Sequence, residues 1–68
     1  MENPFRRGSQ NFRLLEALQQ GALYNYEIAR KIGALVHTAR TRDLRKHGIP
    51  VITERVPDRP GVYLSYLK

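Results

Sequence analysis

The nine residues 38–46, "TARTRDLRK", hold three arginines, one lysine and a single acid. A guanidinium is a planar fork that stays charged at any physiological pH. It grips a phosphate with two parallel hydrogen bonds, and it fits the O6 and N7 edge of guanine in the same way. A short hydroxyl such as Thr38 can touch a phosphate, a base edge or a thymine methyl. Further cations stand at Arg6 and Arg7, at Arg30 and Lys31, and at Arg55 and Arg59. The net charge is +6 over 68 residues, with an isoelectric point of about 10.3. That balance implies an anionic partner: nucleic acid first, then an acidic protein or a membrane surface.

Other chemistries find little support. The two histidines lie ten residues apart, no cysteine is present, and no carboxylates are paired, so neither a metal site nor a catalytic triad is recognisable. No glycine-rich phosphate loop occurs. The expectation is a non-enzyme with no cofactor, no metal and no small-molecule substrate. No apolar run approaches the ~20 residues that cross a bilayer, and the N-terminus has no apolar signal core. No membrane association and a cytoplasmic location are expected, which the missing cysteines fit.

The elements that must position these cations follow from pattern. "SQNFRLLEALQQG" reads as a first helix with Ser9 as its cap and Gly21 at a left-handed end. Leu14, Leu15, Ala17 and Leu18 form one stripe, with Phe12 at its edge. A short extended bridge, 22–24, leads to Asn25, which caps a second helix over 26–32. Gly33 closes that helix. The spacing predicts a third helix over 36–47, closed by Gly48. "IPVITERV" and "GVYLSYLK" have strand composition, and "PDRPG" between them is a turn. The favoured inner face of this hairpin carries Val62 and Leu64 with Ile52 opposite. Tyr63 and Tyr66 are expected to pack on the sheet. Residues 1–8 form a flexible basic arm, or a frayed terminus, and residues 9–68 form the domain. The fold class is α+β: three helices followed by a two-stranded wing.

Ile28 and Ile32 are the fourth and eighth residues counted from Asn25, Ala29 is the fifth and Gly33 the ninth. A small residue at the fifth position lets a third helix cross closely, and glycine at the ninth allows a tight turn. This is helix-turn-helix spacing. Residues 9–67 resemble the small winged helix-turn-helix domains common in bacteriophage and bacterial regulators. "ARTRDLRKHG" is similar to a phage-type family whose third helix reads Ala-Arg, then Asp-Leu-Arg, then Gly. Ala39-Arg40, Asp43-Leu44-Arg45 and Gly48 match it. His37 and Thr41 depart from it, standing where aliphatic core residues are expected; His37 reads as a half-buried structural residue. The resemblance implies double-stranded DNA as partner, gene regulation as role, the third helix in the major groove and the wing on backbone or minor groove.

Leu44 must face inward, as the only large aliphatic between Val36 and Ile49. At ~100° per residue, Thr38, Arg42 and Arg45 then point roughly 100–160° away from it. They are the candidates for the major groove, with Lys46 on the flank. Arg40 falls near the core side, placed to pair with Asp43 or to run along the second helix to a phosphate. Asn25 and Tyr26 stand beside the open amides of the second helix, where a phosphate would bind. Arg55 and Arg59 belong to the wing. Arg6 and Arg7 would let the arm lie along phosphates or in a minor groove. A single small domain offers a limited interface, so a homodimer or tandem binding is expected. The alternatives are an architectural, excisionase-like bending factor and a protein-binding adaptor or inhibitor of a host factor.

Overall fold

The computed structural model describes residues 2–33 and 37–68, with the backbone alone at residue 37. The start of the third helix at Val36 and the half-buried role of His37 lie outside the described residues. The elements run α1 (Gln10–Gln20), β1 (Leu23–Tyr24), α2 (Asn25–Ile32), α3 (His37–Lys46), β2 (Val51–Arg55) and β3 (Tyr63–Leu67). This is the expected α+β architecture with the strands of the wing after the helices.

Ser9 caps α1 as its sequence implies, its Oγ accepting from the Phe12 N–H at 3.1 Å. The other end differs from expectation. Gly21 sits at φ 158°, ψ 175°, outside the left-handed well, and its N–H reaches back only to the Leu18 carbonyl. The chain needs an extended exit there because β1 begins two residues later. The cap of α2 also moves by one residue. Tyr24 holds the cap position, and the Glu27 carboxylate accepts from its N–H at 2.9 Å. Asn25 is thereby freed from capping and is used elsewhere.

Leu14, Leu15 and Leu18 from α1 meet Ile28 and Ile32 from α2 and Leu44 from α3, with Leu23, Ile49 and Val51 closing the core. Burying one such side chain contributes about 2 kcal/mol. Thr41 is as buried as these aliphatics, at 2 % exposure. Its hydroxyl donates to the Thr38 carbonyl at 3.0 Å, so a polar group sits in the core without an unmet bond. Helix α3 ends in a Schellman motif. The Ile49 N–H bonds the Leu44 carbonyl, the Gly48 N–H bonds the Arg45 carbonyl, and Gly48 lies at φ 79°. Ile49 then folds under Leu44 and enters the core.

The sheet has three strands in the order β1-β3-β2, all antiparallel. The expected hairpin is therefore joined by the short bridge, Leu23 pairing with Ser65 and Tyr24 with Leu64. The expected inner face is corrected. Ser65 is fully buried and Val51 nearly so, and their cross-strand partners Leu23, Thr53 and Leu67 share that side. Ile52, Leu64 and Tyr66 lie on the opposite side. The reason is tertiary: α1 and α2 pack on this middle strand, and the small Ser65 side chain is fully buried there. Its hydroxyl bonds the Thr53 hydroxyl at 3.0 Å.

Candidate nucleic-acid interface

Helix α3 divides its polar side chains into two groups. Arg40, Thr41, Asp43 and Arg45 are all bonded within the chain. Arg40 pairs with Asp43 at 3.2 Å and donates to the Gln10 carbonyl oxygen of its side chain at 3.3 Å. The same Asp43 oxygen accepts from Asn11 at 3.2 Å. Arg40 and Asp43 thus brace α3 against the start of α1, the pairing that the sequence offered as one of two outcomes for Arg40. Arg45 points the other way, to the sheet. Its Nε donates to the Val51 carbonyl at 2.9 Å and its Nη2 to the Thr53 hydroxyl at 3.0 Å.

Thr38, Arg42 and Lys46 form the second group. All three are exposed, and no side-chain hydrogen bond or ion pair engages them among the described residues. They are spaced by four residues, so they advance only ~40° per step and make one stripe along the helix. Leu44, fully buried, lies behind them. The stripe offers a hydroxyl, a guanidinium and an ammonium over about two helical turns, the dimensions of a side-chain row that enters a major groove. Expectation and geometry differ in one respect: Arg45 stands at the edge of this row with two of its donors already engaged.

The wing presents its own cations. Residues 56–62 make two consecutive turns that share Arg59, the first closed by the Arg59 N–H on the Val56 carbonyl and the second by the Val62 N–H on the Arg59 carbonyl. Pro57 and Pro60 occupy the second position of each turn, where their fixed φ fits. Gly61 occupies the third position of the latter turn at φ 78°, which only glycine adopts readily. The guanidinium of Arg59 lies 5.4 Å from the Tyr24 ring centre and 5.7 Å from that of Tyr26. These two rings stack nearly parallel at 5.4 Å. Asn25 sews the same junction: its Nδ2 donates to the Gly61 carbonyl at 3.0 Å, and its Oδ1 accepts from the Tyr63 N–H at 3.2 Å. Both ends of the Asn25 side chain are thus spent inside the chain, and the wing is fastened to the start of α2. Tyr26 remains 44 % exposed. Arg55 ends β2 as an exposed cation.

Arg6 and Arg7 are exposed in a turn that the Ser9 N–H closes on the Arg6 carbonyl. The segment before them does not trail away. Phe5 packs on the core and meets the His47 ring edge-on at 4.6 Å, and Asn3 donates to the Phe12 carbonyl at 3.0 Å. Sequence reasoning missed this anchor, and it missed Tyr24 as a partner of Arg59. The only signals were a lone Phe in a polar stretch and two tyrosines either side of Asn25.

Among the described residues, no helix is long and apolar enough to cross a membrane. No curated protein and no solved structure matches the chain. The winged helix-turn-helix domain family matches residues 9–66, from the cap of α1 to the penultimate residue of β3. Fold order, the crossing of α2 by an arginine-rich α3 and the match over nearly the whole length agree: the chain belongs to the winged helix-turn-helix domains, a family of DNA-binding domains.

Proposed function

We propose that this chain is a sequence-specific binder of double-stranded DNA and acts as a phage-type transcriptional regulator. Helix α3 enters the major groove, and the wing lies on the adjoining backbone or minor groove. The observation that carries this reading is the division of labour on α3. Among the described residues, the side chains of Thr38, Arg42 and Lys46 make no hydrogen bond or ion pair and form one exposed stripe, while Arg40, Thr41, Asp43 and Arg45 are tied into the fold.

Arg42, at the centre of the stripe, reads a base edge, and its fork suits guanine. Lys46, near the helix end, takes a phosphate. Thr38, one turn before Arg42, takes a phosphate, base edge or thymine methyl. Arg59 reaches the backbone from a wing whose turns and tyrosine stack limit its freedom before binding, which lowers the ordering cost of docking. Arg55 and Tyr26 flank that contact. One copy buries little surface, so two copies act together, as a homodimer or on tandem sites.

Selection from a random duplex library, followed by titration of the winner against scrambled DNA across salt, tests this. A defined motif bound ~10³-fold or more above scrambled sequence supports the regulator. Its symmetry reports whether copies bind head to head or in tandem. Salt-dependent binding without a motif would replace it with an architectural role, and no binding would move the basic helix onto a protein partner.

A further inference from the structure

Residues 2–8 precede the segment matched by the family, yet they are built into the molecule. Asn3 makes two bonds, donating to the Phe12 carbonyl and accepting from the Phe5 N–H at 3.2 Å. Phe5 is half-buried against the core and edge-on to His47, just past the C-terminal end of α3. Gln10, where α1 begins, touches Arg40, two turns back along α3. The chain between these two anchors therefore runs beside one flank of α3. Arg6 and Arg7 sit on it, both exposed and unbonded through their side chains among the described residues. The sheet, held by Arg45, covers the opposite flank. Around α3 the order is sheet, then Arg45, then the exposed stripe, then Asp43 and Arg40, then the N-terminal segment.

We infer that the N-terminal segment is a second, preset phosphate clamp. Arg6 and Arg7 bind the DNA backbone on the side of the major groove away from the wing. The inference rests on the DNA reading above and adds an interaction surface to it. A duplex that takes α3 in its major groove presents a phosphate row along each lip of that groove. One lip meets the sheet and wing; the other meets the Arg6–Arg7 turn. Phe5 is a positioning residue here. It touches no DNA but fixes where the two guanidinium groups stand, so the clamp closes without ordering a loose arm.

The test is the salt dependence of duplex binding by the full chain, using the selected sequence and a scrambled one. The double variant Arg6→Ala, Arg7→Ala removes two exposed cations and leaves the anchor in place. The double variant Arg13→Ala, Lys31→Ala removes the same charge from the groove between α1 and α2. We expect the first to lower the slope of log K against log salt by about one to two, at ~0.9 per phosphate. We expect it to weaken both duplexes alike, roughly tenfold per lost contact at ~0.1 M salt. The second variant should leave the slope within error. Phe5→Ala keeps every charge but frees the turn, and should weaken binding at unchanged net charge; Phe5→Leu, which keeps the apolar plug, should restore it. If the parent binds and the two double variants behave alike, the clamp is overturned and the DNA reading stands. If Phe5→Ala binds as the parent does, the positioning role of Phe5 is overturned. If the parent binds no duplex, both readings fall together.

Discussion

The Nε of Arg45 donates to the Val51 carbonyl at 2.9 Å, across the turn that carries the chain from α3 into β2. The Nη2 of the same residue donates to Thr53, whose hydroxyl bonds the fully buried Ser65. A short chain of polar groups thus links the exposed helix to the middle of the sheet. Arg45 also occupies a carbonyl on β2, which is an edge strand, and so blunts that edge. Replacing Arg45 with Ala should cost about 1–2 kcal/mol of stability, from two lost bonds to a charged donor. For a domain of this size that is a fall of roughly 4–8 °C in Tm per kcal/mol. Arg45→Lys should recover little, because one ammonium cannot span both acceptors as a rigid fork does. Thermal unfolding of the two variants checks this. A lysine variant as stable as the parent would leave Arg45 available as a simple phosphate cation.

Asn25 makes connections far apart in sequence, 36 residues from Gly61 and 38 from Tyr63. Its amide serves as donor at one end and acceptor at the other. Asn25→Ala should release the wing from α2, and the Tyr63 amide should exchange with solvent about fivefold faster, the equivalent of ~1 kcal/mol. Asn25→Asp keeps an acceptor for the Tyr63 N–H but turns the donor to Gly61 into a repelling oxygen. Its Tyr63 amide should stay protected while affinity for DNA falls through the misplaced wing tip. Hydrogen exchange followed by NMR resolves the two cases.

Much of this fold is legible in the sequence because its signals are local. Ser9 caps, Gly48 closes α3, the leucines of α1 repeat at helical spacing, and paired prolines mark the wing turn. What was not legible depends on what crosses what. Ser65 lowers the apparent hydrophobicity of the true inner face, so Val62 and Leu64 looked the better lining. Only the close approach of the helices explains a serine there. The core place of Thr41 was expected from its spacing; not legible was that its own helix satisfies the hydroxyl, at the Thr38 carbonyl. The expectation that Leu44 faces inward fixed the rotation of α3 correctly, and with it the exposed places of Thr38, Arg42 and Arg45, with Lys46 also exposed on the flank. It could not foresee that Arg45 would spend its donors on β2, because that bond depends on the chain doubling back after Gly48. Phe5 illustrates the same limit: an aromatic in a polar terminal stretch carries no periodicity to betray its docking site.

Tyr66 gives a pH-dependent signature of the sheet. Its hydroxyl donates to Glu54 Oε1 at 2.6 Å. That hydrogen bond to a carboxylate, with smaller contributions from burial and from the negative charge of Glu54, holds the phenol above its ordinary value of 10.0. A raised folded value means that the favourable contribution is present below the ordinary tyrosine range. It is lost as pH rises through the folded value, in the alkaline region. Tyr66 should therefore ionise later than a model tyrosine, and Glu54→Gln should bring it back toward the ordinary value. An NMR titration of the tyrosine ring resonances checks the order. A parent Tyr66 that ionises with a model tyrosine would show that the bond to Glu54 does not persist in solution.

Arg42 and Arg59 separate reading from holding. Arg42 stands in the middle of the exposed stripe, and among the described residues no side-chain hydrogen bond or ion pair engages it. Arg59 stands at the wing tip over Tyr24 and Tyr26, held but still outward. If Arg42 reads a base, Arg42→Ala should cost about 1–3 kcal/mol at one position of the selected motif and relax the preference there. Binding to scrambled DNA should change little. If Arg59 holds phosphate, Arg59→Ala should weaken selected and scrambled duplexes alike and lower the salt slope by about one. The two effects are orthogonal: one changes the ratio between sequences, the other changes the slope at constant ratio. Repeating the library selection with each variant and titrating both duplexes across salt separates them. A retained motif with Arg42→Ala would move base reading away from the centre of α3, toward Thr38 or Lys46. The salt slope of that same variant would then report whether Arg42 had been gripping the backbone instead.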